Sequence, residues 1–91
     1  MAAVVSIIVK LMPDAPNADL KAIEAAATAS LEPEGAKNIS FEEKPIAFGL
    51  KALMIKIDMP EEKGTDLVEQ KLSALPEVSS VTIEDYRRAF G

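Results

Sequence analysis

Lys37-Asn38-Ile39-Ser40-Phe41-Glu42-Glu43-Lys44-Pro45-Ile46-Ala47-Phe48-Gly49-Leu50-Lys51-Ala52-Leu53-Met54-Ile55-Lys56-Ile57-Asp58-Met59 reads as two alternating runs around a short, proline-led turn. In the first run, Lys37 to Lys44, Ile39 and Phe41 share one face. Asn38, Ser40, Glu42 and Lys44 share the other, the pattern of a strand with one solvated side at a sheet edge. In the second, Leu50 to Met59, one face holds Lys51, Leu53, Ile55, Ile57 and Met59, and the other holds Ala52, Met54, Lys56 and Asp58. A connection this short pairs the runs as an antiparallel hairpin. Pro45 fixes its own φ and biases Lys44 towards extended geometry. Gly49 permits a positive φ or a close approach by another backbone. Phe48 sits between them, and two uses are open to its ring: a lid folded over its own core, or an outward anchor for a partner.

Working back from the hairpin, Pro33 and Gly35 end a helical segment in which Leu20, Ile23, Ala27 and Leu31 recur at helical spacing. Asn17 is its expected N-cap, Asp19 falls in the first turn, and Ala25, Ala26, Ala27 and Ala29 let the helix lie close to a sheet. Before it, Val5, Ile7, Val9 and Leu11 make one face of the strand Ala3 to Met12 fully apolar. Val4, Ser6, Ile8, Lys10 and Met12 make the other mixed, as in a central strand covered on one side. Pro13 and Pro16 stop that strand. Working forward, Pro60-Glu61-Glu62-Lys63-Gly64 is a charged turn, and Thr65 is the expected N-cap of a second helix. Its stripe is Leu67, Val68, Leu72 and Leu75, closed by Pro76. Val78 to Arg88 returns to strand with Val81 and Ile83 inward and Ser80, Thr82 and Glu84 outward. The order strand, helix, strand, strand, helix, strand predicts an α+β, ferredoxin-like split βαβ sandwich (βαββαβ). Both helices lie on one face of a four-stranded antiparallel sheet, in a single domain spanning residues 1–91.

Composition narrows the chemistry. The 91 residues include no Cys and no His, which removes disulfides, thiolate nucleophiles, Cys/His zinc sites and imidazole acid–base catalysis. Ten Lys and Arg against fifteen Asp and Glu give a net charge of −5, a poor basis for direct nucleic-acid binding. No apolar run approaches the roughly 20 residues that cross a bilayer, and no basic region precedes the first apolar segment. No membrane association and a cytoplasmic address are therefore expected. The central strands carry no aromatic platform for RNA. No Walker loop, GxGxxG or paired-cysteine metal loop occurs, and no arginine follows the first strand. The adjacent acids Glu42-Glu43, Glu61-Glu62 and Glu84-Asp85 read as solvated charges, since strand neighbours point to opposite faces. Lys10, Lys51 and Lys56 read as surface or snorkelling cations, and Arg87 and Arg88 as edge protection. No catalytic residue, metal site or cofactor is expected, so the residues describe a domain that works by contact.

The run Lys44-Pro45-Ile46-Ala47-Phe48-Gly49-Leu50-Lys51-Ala52-Leu53 resembles the signature of the archaeal elongation factor 1-beta family: Pro, aliphatic, small, aromatic, Gly, aliphatic, Lys, any residue, Leu. Lys63-Gly64-Thr65-Asp66, the first strand running into Met12-Pro13-Asp14 and the closing Val78 to Arg88 also match, so the resemblance covers essentially the whole chain. It implies the split βαβ fold and a guanine nucleotide exchange factor for the GTPase elongation factor 1-alpha. The partner-binding residues it implies are Phe48, Pro45, Gly49, Lys51 and Arg88, with Phe48 inserting between switch elements of the GTPase. Arg88 stands where the eukaryotic domain has a lysine that disturbs the magnesium site. The factor is expected to be monomeric when free. The alternative reading is a small-molecule-binding regulatory module of the same fold, dimerising through its sheet.

Overall fold

A computed structural model describes residues 3–15, 17–46 and 49–90, with the side chains of Ala89 and Phe90 outside that description. The elements run β1 (Val4–Pro13), α1 (Leu20–Leu31), a 3-10 turn (Glu32–Glu34), β2 (Lys37–Pro45), β3 (Lys51–Pro60), α2 (Gly64–Ser73) and β4 (Val78–Phe90). All strand pairs are antiparallel in the order β2-β3-β1-β4, so β1 and β3 are central and β2 and β4 are edges. This is the α+β, ferredoxin-like arrangement predicted from the hairpin and its flanking helices.

The reason is visible in the burial. Val5, Ile7, Val9 and Leu11 on β1 face Met59, Ile57, Ile55 and Leu53 on β3 in register, and all eight are at most 1% exposed. Ile23, Ala27 and Leu31 of α1 and Val68 and Leu72 of α2 close over the same face in one cluster. Ala27 in mid-stripe is fully buried, as a helix packed closely on a sheet requires. Ile39, Phe41, Val81 and Ile83 from the edges pack against this cluster. Among the described residues no polar or charged side chain is buried, and no helix is long and apolar enough to cross a membrane.

Several local expectations are corrected. The N-cap of α1 is Asp19, not Asn17. A turn closed by Ala18 N–H on the Ala15 carbonyl (3.1 Å) carries the chain past Asn17, and Asp19 Oδ1 then accepts from Ala22 N–H at 3.2 Å. Asp19 N–H itself donates to Glu77 Oε2 at 3.0 Å, which ties the start of α1 to the turn before β4. The second helix begins at Gly64 behind Lys63, with no side-chain cap, so Thr65 lies inside it. The turn bond from Lys63 N–H to the Pro60 carbonyl (3.0 Å) feeds the chain directly into the helix. The first strand runs through Pro13, which pairs with Val78; Pro16 lies outside the described residues.

The largest departure is in β4. Its register against β1 slips between Ile8 and Val9, so Val9 pairs with Ile83 but Ile8 pairs with Asp85. One extra residue, Glu84, is accommodated as a bulge, which reverses the alternation beyond it. Plain alternation would send Tyr86 and Arg88 to the open face of the sheet. Instead they pair with the buried-face residues Ile7 and Val5 and lie on the helix side. A similar slip in β2 between Lys37 and Ser40 surrounds Asn38, whose φ of 53° lies in the left-handed region that Asn tolerates.

Replacing Ile57 by Ala removes three methylene-sized groups from the fully covered centre of β3. It should cost about 2–5 kcal/mol in urea denaturation; a loss below about 1 kcal/mol would show that this stripe is not the core.

Candidate functional site

The hairpin tip is set by backbone chemistry. Pro45 and Lys51 are the last cross-strand pair, and Ile46 N–H donates to the Leu50 carbonyl at 2.8 Å. Only residues 47–49 lie inside that closure. Gly49 has φ of +75°, and nothing lies within 4 Å of where its Cβ would be. Of the two reasons for glycine here, the structure selects backbone conformation over close approach. Phe48 and Ala47 lie outside the described residues, so the choice between lid and anchor is not made by its side chain.

The surroundings of the tip are exposed. Ile46 is 38% exposed, one of the two large exposed hydrophobics among the described residues, and Pro45 is exposed as well. Lys51 points to the helix side, where its Nζ stands 3.7 Å from Glu43 Oε1, a cross-strand pair beside the start of α1. Both groups are solvated, so the pair is worth at most about 1 kcal/mol and leaves the ammonium available.

Arg88 is elsewhere. It pairs with Val5, which pairs in turn with Met59, eight residues along β3 from Lys51. At about 3.3 Å per residue this puts Arg88 roughly 26 Å from the hairpin closure. The structure therefore brings together Pro45, Gly49 and Lys51 and leaves Arg88 at the opposite end of the sheet. There its Nη2 bonds Glu61 Oε1 in the β3–α2 turn, and Glu61 N–H is fixed by the Ala3 carbonyl at 2.8 Å. The other carboxylate oxygen of Glu61 is covered and without a partner among the described residues. Glu61 is thus a tethered, part-exposed counter-ion with one covered oxygen, where the sequence reading expected a free surface charge. Sequence reading missed it because a neighbour 27 positions away is brought close only by the β4 bulge. The same bulge puts Glu84 and Asp85 both towards the open face, against the expected opposition of neighbours. No group of three or more Asp or Glu among the described residues could hold a metal ion.

A hairpin with a glycine-set tip on a split βαβ sandwich defines the class of domain: α+β, with an exposed turn at one end of the sheet. The EF-1 guanine nucleotide exchange domain matches residues 6–89. An elongation factor 1-beta from Methanocella arvoryzae is 45% identical over 90% of this chain and 92% of that protein. Proteins of the same name from Methanobrevibacter smithii (45% identical, 87% of this chain and 89% of that protein) and Halobacterium salinarum (38% identical, 92% and 96%) are also similar. The chain belongs to the EF-1 guanine nucleotide exchange family, whose role is nucleotide exchange in translation elongation.

Gly49→Ala should lower stability by about 1–2 kcal/mol through its forced left-handed backbone, read by thermal melting; an unchanged melting temperature would show that the tip adopts another conformation. Arg88→Ala should cost less than about 1 kcal/mol, because the Glu61 pair is largely solvated on the Arg side. The fold of that variant then survives for functional assay, and a cooperative loss of folding would contradict the assignment.

Proposed function

We propose that this chain accelerates exchange of GDP for GTP on elongation factor 1-alpha, acting as a monomer in the cytoplasm through contact alone. The observation that carries the reading is the hairpin: a family-matched tip held by the Ile46–Leu50 closure and anchored through β3 to a strand pair buried on its helix-covered face. Phe48 is the anchor, entering between switch elements of the GTPase, with Pro45 and Gly49 setting the bend. Lys51 stands beside them as a cation at the rim. A ring buried only in the complex is worth roughly 2–4 kcal/mol as a hot spot.

Nucleotide leaves a GTPase slowly because its phosphates and magnesium are gripped by the P-loop and switches. A factor that binds the nucleotide-free form best weakens nucleotide binding by the same factor by which nucleotide weakens its own. Each preference of about 1.4 kcal/mol is worth tenfold. Arg88 is a second, separate contact near the partner's magnesium site. A standard interface covers about 800 Å² per partner, a patch roughly 30 Å across. The roughly 26 Å between the tip and Arg88 fits within one such contact on a molecule 44 Å long.

The test is release of labelled GDP from the cognate GTPase. Wild type should stimulate release and Phe48→Ala, still folded, should lose at least about tenfold. An unfolded Phe48→Ala protein would support the lid instead, and absence of stimulation by wild type would refute the reading. Arg88→Ala should slow exchange without abolishing binding; unchanged kinetics would remove Arg88 from the mechanism.

A further inference from the structure

The charges of this acidic chain are sorted by face. Lys10, Lys37, Lys44, Lys56 and Arg87 lie on the open side of the sheet with Glu42, Asp58, Glu84 and Asp85. That side holds five of the ten cations but four of the fifteen acids, a balance of +1, and leaves −6 for the helix side and turns. Pairing is sorted in the same way. On the helix side Lys21, Lys51, Lys63, Lys71 and Arg88 each meet a carboxylate. On the open side Arg87 meets Asp85 at 2.9 Å, while Lys10, Lys37, Lys44 and Lys56 pair with no carboxylate among the described residues.

These lysines are interleaved with apolar side chains: Lys10 and Lys56 stand on the central strands, opposite Met54 and Ile8, while Lys37 and Lys44 stand on the β2 edge. Ile8, Met12 and Met54 are outward-facing and only half-buried, beside the covered Ala52. Two shallow grooves of about 250 and 230 Å³ cross this face and share Met54 and Lys44. The second ends at Pro45 and Ile46, so the trough runs into the hairpin tip. An aliphatic floor interleaved with lysines that meet no carboxylate among the described residues, on a face of net charge +1 whose grooves also carry Glu42 and Glu84, is the complement of a surface with acidic and apolar side chains of its own.

We infer that the open face of the sheet is a docking surface for an acidic, aliphatic protein surface, and that this surface belongs to the GTPase, an inference that rests on the exchange reading above. A protein is favoured over nucleic acid by the floor: methionine and isoleucine find no complement in a phosphate backbone, and no aromatic among the described side chains stands on this face to stack a base. The face positions the partner along β2 and β3, and the tip reaches the switches from its end. Arg88, on the helix side, takes no part in it.

The test uses the full chain carrying Lys44→Glu and Lys56→Glu together, two exposed positions, with the neutral pair Lys44→Gln and Lys56→Gln as a milder variant. Thermal melts establish folding, and Lys21→Glu on the helix side is the control. In the GDP-release assay the charge-reversed protein should need about tenfold more factor for half-saturation, with the maximal rate unchanged. The neutral pair should need severalfold more and show a weaker dependence on salt. Lys21→Glu should match wild type. Half-saturation unchanged in both variants, while wild type stimulates release, overturns the docking face and leaves the exchange reading standing. A wild type that does not stimulate release removes both. Retention of a labelled RNA, or self-association in sedimentation, that the reversal abolishes while exchange stays normal would overturn the inference in favour of that partner.

Discussion

Four cross-strand pairs hold this molecule in shape: Val5 with Met59, Ile7 with Ile57, Val9 with Ile55 and Leu11 with Leu53. All eight side chains are buried in the one cluster that residues of both helices complete. Apolar area removed from water is worth about 25 cal/mol per Å², so this double stripe supplies the main attraction for every other element. It also fixes register, because a slip of one residue on β3 would turn Lys56 and Asp58 into the core. The hairpin tip inherits its rigidity from this constraint. The closing Pro45–Lys51 pair sits only two residues beyond Leu53, at the end of the stripe.

A second consequence is the contrast between the faces. Once the helices take the apolar side, the other face of the same strands is left to carry Ile8, Met12 and Met54 interleaved with Lys10 and Lys56. The helix side neutralises its cations locally: Glu34 alone meets both Lys63 and Lys71, at 3.6 Å each. Such solvated pairs add little stability. They leave the lysines without carboxylate partners among the described residues to the sheet face, whose own balance is +1. The exchange proposed above asks for differential binding rather than bond-making, so it calls on no His, Cys or metal cluster.

Much of this was legible in the sequence. Period-two alternation in Lys37 to Met59 revealed the hairpin, its edge and central strands and the inward residues, because burial imposes that period directly. The 3.6-residue stripes identified both helices. The misses share a cause, which is backbone bonding that leaves no periodic trace. Asn17 and Thr65 are good caps by type, but a preceding turn in each case decided where the helix began. The β4 bulge at Glu84 is a single inserted residue in an otherwise regular run. It turned Arg88 towards Glu61 and so set the far end of the molecule in a way alternation could not show. The family resemblance, carried by Pro45 to Leu53, supplied the function. The spacing of residues supplied only a contact surface.

The account rests on preference for the empty GTPase. Equilibrium binding of this chain to elongation factor 1-alpha, measured with and without saturating GDP, tests it most directly. The expected result is much tighter binding to the nucleotide-free form, with added GDP displacing the factor. Equal affinity for the two forms would contradict it, since a ligand without differential affinity shifts no equilibrium.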